Sequence, residues 1–211
     1  MDGKKTGILS IVKQTIIDSK DYVAEGVDLL IKTIDETGAL SEIPVVSQGM
    51  KVLEIKDSFQ QHKYRRNCAA FLEACKINDT ETVENLYNKL NNTGKTEEFT
   101  DSLLLITIES SKPLKAAIVG RLVSKLCTRD IDYTSYETLV QIIHAASVAS
   151  LLALPEFIKS NDGFPYKHSN KIPEEALLFA CGLAYRDGSK FNITELGVLF
   201  YNCAFKDYQD F

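Results

Sequence analysis

Three features of the chain predict a mainly α fold, a multi-helix bundle closed by a small C-terminal α+β module. Apolar residues recur at i, i+3 and i+4 over most of its length, the period of one helix face. Residues 160–173 break that rhythm with a cluster of Asn, Asp, Gly and Pro. Beyond the break, two apolar runs flank a polar tip, Arg186-Asp187-Gly188-Ser189-Lys190, with the look of a hairpin. The chain therefore divides into a helical body over 1–160 and a terminal module over 161–211.

The first helix is expected from the stripe Ile8, Ile11, Val12, Ile16, Val23, Val27, Leu30 and Ile34, which ends at Thr37-Gly38. A second runs from about 44 to 76, with Val45, Met50, Leu53, Phe59, Cys68, Phe71, Leu72 and Cys75 facing inward. Asn78-Asp79-Thr80 supplies a break and a cap for a third helix bearing Val83, Leu86, Tyr87 and Leu90, which Asn91-Asn92-Thr93-Gly94 ends. A fourth covers about 97–109. A fifth covers 112–127, with Pro113 in the first turn, where its missing N–H costs nothing. Thr134 and Glu137 form a capping box for a long apolar helix. That helix, 139–158, carries the single charge Glu156 and is read as a buried central helix that Pro155 ends, since Gln141, His144, Ser147 and Ser150 interrupt it.

The C-terminal module reads as a helix over 172–183, a short β-hairpin, and a last helix capped by Thr194, an order typical of a winged-helix ending. Arg186 and Lys190 would be the basic groups of the wing. A recognition helix at 172–183 would open with Glu174 and Glu175, which repel phosphates, and it has no Arg, Asn or Gln there to read base edges. The winged-helix shape is thus expected without a duplex-binding face.

Charge points the same way. With 24 basic and 29 acidic residues the net charge is −5, whereas phosphate neutralisation supplies most of the affinity of duplex binders. Cys68, Cys75, Cys127, Cys181 and Cys203 are scattered through apolar runs with no Cys-x-x-Cys pair, so buried reduced thiols are expected and no metal site. Reduced thiols, and an N-terminus without the apolar core of a signal peptide, imply a cytoplasmic protein.

Catalytic patterns are missing. Asn92-Thr93-Gly94-Lys95-Thr96 resembles the end of a phosphate-binding loop, but Lys89 stands where that loop needs glycine. No Gly-x-Ser-x-Gly elbow and no Glu-x-x-His pattern occurs. His144, on the apolar run, is expected to be a hydrogen-bonded core histidine. The one basic cluster is His62-Lys63-Tyr64-Arg65-Arg66. Lys63, Arg65 and Arg66 could hold an acidic partner, a phospholipid surface or nucleic acid, with Tyr64 offering a stacking face, or the cluster is simply the solvated face of a long helix.

Several short phrases resemble a group of helical bacterial proteins of this size found near prophage and defence genes, some described as abortive-infection-type. They are Glu42-Ile43-Pro44-Val45-Val46, Ile55 to Phe59, Ala69-Ala70-Phe71-Leu72, 100–106 (TDSLLLI), Ile118-Val119-Gly120-Arg121-Leu122, Ile131-Asp132-Tyr133, and the ending from Gly182 to Gly197. The chain departs from that group at Ser47, Gln48 and Lys51, where the group is more apolar. The resemblance implies an interaction or effector protein in phage–host conflict, acting on another protein without catalysis and without a cofactor. A winged-helix DNA-binding regulator and a membrane-associated effector are the alternatives.

Overall fold

A computed structural model of the chain describes residues 58–75 and 80–206. The expected helix over 8–34, and the part of the second helix before Ser58, lie outside the described residues. Within them the fold is mainly helical, eight helices with one small antiparallel sheet near the C-terminal end. By contact density the chain forms two compact units, Met1–Tyr133 and Thr134–Phe211. The expected boundary at 160/161 falls inside the second of these.

In the first unit, helices α1 (Ser58–Cys75), α2 (Thr80–Asn92), α3 (Thr96–Glu109) and α4 (Pro113–Cys127) pack together. Helix α1 lies mainly against α4, and the approach is close at one point. A Cβ at Gly120 would stand 2.3 Å from the Phe71 carbonyl oxygen, so only glycine lets these two backbones meet. Cys68, Leu72, Leu103, Ile106, Leu122 and Leu126 are buried in this core, which the helical spacing anticipates. Gly94 takes φ +67 just past the end of α2, the left-handed conformation in which glycine ends helices.

In the second unit, the run expected as one helix is two. Helix α5 (Tyr133–Ala145) and helix α6 (Val148–Ser160) meet at a bend of 116°. Ser147 causes the restart, because its side chain accepts the Ser150 N–H as an N-cap at 3.0 Å. Pro155 lies inside α6 and does not end it. Burial of Leu151, Leu154, Phe157 and Ile158 along that helix outweighs the one backbone bond that proline forfeits. Thr134 stands inside the first turn of α5 instead of capping it, and Asp132 precedes the helix. His144 is exposed, and Ile142 is only half-buried, so neither belongs to the core. No single described helix is long and apolar enough to cross a membrane; α5 and α6 meet that test only as the bent pair.

Strand β1 (Tyr166–His168) emerges from the stretch expected as loop. Helix α7 follows as only Glu175–Ala180, half the length of the helix expected over 172–183. Strands β2 (Ala184–Asp187) and β3 (Lys190–Ile193) form the anticipated hairpin. Its two-residue turn places Gly188 at φ +57, as mirror-image turns require. The sheet order is β1-β3-β2. Helix α8 (Glu195–Ala204) starts at Thr194, whose side chain accepts the Gly197 N–H at 3.0 Å, the cap read from the sequence.

Candidate surface on the C-terminal sheet

Antiparallel pairing sets which side chains share a face. Tyr166 and Tyr185 both stand opposite Asn192, while His168 and Asp187 both stand opposite Lys190. These six residues form the outer face. Lys167 and Arg186 stand opposite Phe191 on the other face. That inner face is closed by aromatic packing: Phe191 is fully buried, 5.1 Å from the Phe157 ring and 5.7 Å from the Phe179 ring, centroid to centroid.

The outer face is different. Tyr166 is 41% exposed, Tyr185 51%, and Phe164, just before β1, 56%. The rings of Phe164, Tyr166 and His168 follow one another at centroid distances of 6.0 and 6.3 Å. The Lys190 ammonium lies 4.4 Å from the centre of the Tyr166 ring, a cation–π arrangement that holds a positive charge on the face. Asn192 is buried beneath this layer, its Nδ2 donating to the Lys190 carbonyl at 3.3 Å. Exposed aromatics grouped with fixed polar side chains are the composition of binding surfaces, because they offer large contact area at small entropic cost.

Arg186, expected at the tip of a basic wing, is spent internally. Its Nε and Nη2 donate to the two carboxylate oxygens of Glu175 at 2.6 and 2.8 Å, and Nη1 donates to the Ser169 carbonyl at 2.6 Å. This two-pronged bond lowers the Glu175 carboxyl pKa and raises that of the guanidinium. Lys190 remains as the cation of the expected wing.

The basic cluster of α1 is not an open patch either. Tyr64 is 1% exposed, so it offers no stacking face; it belongs to the core, and burial pushes its phenol pKa up. Lys63 and Arg66 are half-buried, and Arg66 Nη2 donates to the Ser111 carbonyl at 3.2 Å. The Arg65 side chain lies outside the described residues. The reason is geometric: consecutive residues point in different directions around a helix, so Tyr64 turns into the packed face while Lys63 and Arg66 stay half-buried at its border.

Nothing in the described residues assembles reactive groups. Burial raises the Cys68 and Cys127 thiols to about 12 and the Cys75 thiol well above its ordinary value, the opposite of what a nucleophilic cysteine needs. Among the described residues no group of three His, Cys, Asp or Glu could hold a metal ion. A recess of about 350 Å³ at the α5–α6 bend is lined by Thr138, Gln141, Ser147, Ser150 and Cys181 with alanines, and no lining residue carries a charge. Another, of about 200 Å³ in the first unit, has apolar walls of Leu86, Leu90, Leu126 and Tyr133 with Lys89 and Lys95 at its edge.

Sequence reasoning missed Phe164, Tyr166, His168 and Tyr185. Their signal is present but short, an aromatic at every second position from Phe164 to His168 inside a segment whose Asn, Gly and Pro content reads as loop. No family model, no curated protein and no solved structure matches this chain.

Proposed function

We propose that this protein works by binding another protein, without catalysing a reaction, and that the outer face of the C-terminal sheet is the surface that does so. One observation carries the reading: Tyr166 and Tyr185 stand two-fifths to one-half exposed on the same face, on either side of the buried Asn192. Rings held in place and left half in water gain free energy when a partner covers them, about 25 cal/mol for each Å² of apolar surface removed from water. Lys190 against Tyr166, and Asp187 opposite Lys190, give the face both signs of charge, which suits a protein better than a uniformly anionic duplex.

The two alternatives have less to support them. A duplex-reading winged helix is left with a six-residue helix α7, Glu174 and Glu175 at its start, and an arginine already bonded to Glu175. A membrane effector would rely on the 139–158 run, which is two helices bent by 116°, or on the α1 cluster, where Tyr64 is buried. The resemblance to abortive-infection-type proteins adds phage–host conflict as the setting.

The test is an affinity capture run in parallel with the wild-type chain, a Tyr166→Ser/Tyr185→Ser variant and a Lys63→Glu variant, each with and without nuclease. The expected result is a nuclease-resistant protein captured by the wild type and by Lys63→Glu but lost with the tyrosine pair. Equal capture by all three removes the sheet face from the account.

A further inference from the structure

The backbone edge and the charge around the sheet face narrow the kind of partner. Strand addition is the usual way to dock a peptide on a sheet, and β1 is an edge strand. Here that route is obstructed. The Ile193 N–H donates to the Pro165 carbonyl at 2.8 Å and the Ser169 N–H to the Ser189 carbonyl at 3.0 Å, so residues 165, 167 and 169 turn their backbone groups toward β3. Tyr166 and His168 therefore turn theirs to the free edge. There the Asn161 side-chain amide donates to the Tyr166 carbonyl at 2.6 Å and to the Phe164 carbonyl at 2.8 Å, covering the acceptor an added strand would use. With a strand of three residues and Lys167 at its centre, this edge carries the usual defences against pairing. On the β1 side a partner is held by side chains.

Those side chains are aromatic and basic. From Phe164 to Ile172 there is no carboxylate, while Lys167, His168 and Lys171 are all exposed, and Lys190 lies over Tyr166. Asp162 precedes the stretch and Glu174 follows it; Glu175 is bonded to Arg186, and Asp187 sits on β2, away from β1. Lys190 and His168 thus share the face with the tyrosines, and Lys167 and Lys171 are exposed on and just beyond the edge strand, in a chain whose net charge is −5.

Resting on the reading that this face is the working surface, we infer that it binds an acidic segment of a partner protein that also carries aromatic side chains. Carboxylates of the segment meet Lys190 on the face and Lys171 beyond the end of β1, and its rings pack on Phe164, Tyr166 and Tyr185. Charge complementarity sets orientation and encounter rate, and ring burial sets how long the complex lasts.

A fluorescein-labelled random copolymer of glutamate and tyrosine, titrated with the full chain and followed by anisotropy, tests this. Polyglutamate and an oligo-dT of similar length serve as comparators. The copolymer should bind about ten-fold or more tighter than either comparator, since ring burial and charge both contribute, and binding should weaken as salt rises. Tyr185→Ser and Lys190→Glu should each weaken it about five-fold or more, as expected for anchoring side chains, with Lys63→Glu unchanged. Tyr185 is half exposed, so its variant keeps the test valid even if Tyr166→Ser melts early. Equal binding of polyglutamate, tighter binding of oligo-dT, indifference to both variants, or no binding of the copolymer would each overturn the inference. If the capture experiment loses its partner with the tyrosine pair while the copolymer fails to bind, the acidic-segment inference falls and the surface assignment stands. If capture is unaffected, the assignment itself falls.

Discussion

Asn67 offers the sharpest test of the packing of the first unit. It is fully buried on α1, in the turn after the basic cluster. Its Nδ2 donates to the Thr107 carbonyl at 2.9 Å and the Ser110 carbonyl at 2.8 Å. Both carbonyls sit at the C-terminal end of α3, where the last turn has no intrahelical donors left. One side chain therefore ties α1 to the end of α3 and satisfies two acceptors. Asn67→Ala orphans both acceptors, each costing about 1–3 kcal/mol when left buried without a donor. It also removes Oδ1, a buried atom with no partner of its own, which returns part of that cost. The balance is a loss of about 2–4 kcal/mol, or roughly 4–16 °C in Tm for a chain of this size. Asn67→Asp is worse, because it points a second acceptor at the same two carbonyls.

The two variants also differ with pH. The new carboxyl is held above its unfolded pKa by burial, so its stability penalty is absent below about pH 4 and grows as pH rises through the folded value. Thermal melts of wild type, Asn67→Ala and Asn67→Asp between pH 4 and 8 would show an alanine gap that is flat and an aspartate gap that widens. An alanine cost below about half a kcal/mol, with aspartate no worse, would refute the reasoning.

Four further outcomes can be checked. Gly120→Ala should cost about 1–3 kcal/mol by chemical denaturation, because its methyl would stand 2.3 Å from the Phe71 carbonyl and must push α1 from α4. Leu122→Ala and Leu178→Ala should each cost about 2–5 kcal/mol and Ile142→Ala less, since the first two are fully buried and the third is not. In the folded chain a thiol reagent at pH 8 should modify Cys181 first, with the four buried thiols reacting only on unfolding; because the folded Cys68 and Cys127 values near 12 exceed the unfolded value, stability should decline as pH rises above about 8.5. Glu175 has the opposite sign: its folded pKa is lowered, so its contribution is present above the unfolded value of about 4.3 and is lost as pH falls, and Glu175→Gln should flatten that acid-side decline in thermal melts.

The elements that sequence placed well are those with long periodic burial and local caps. Pro113 opens α4, Thr194 caps α8, and Leu103, Leu122 and Leu178 are core as their spacing implies. The failures have two causes, a local cap hidden by continuous hydropathy and packing between distant segments that no window of sequence contains. The 139–158 run is continuous in hydropathy, yet Ser147 captures the Ser150 N–H and splits it. Tyr64 belongs by composition to a basic cluster, but its position on the helix turns it into the core. Residues 166–168 form a strand only because β3 supplies their pairing partners from more than twenty positions away.

Helical class, the hairpin, the last helix and the absence of familiar catalytic spacings were therefore determined by the sequence alone, through periodicity and caps that act within a few residues. Tertiary structure decided which aromatics are covered. Burial depends on pairing and packing between distant segments, and that is why Tyr64 is lost to the core while Tyr166 and Tyr185 share an open face.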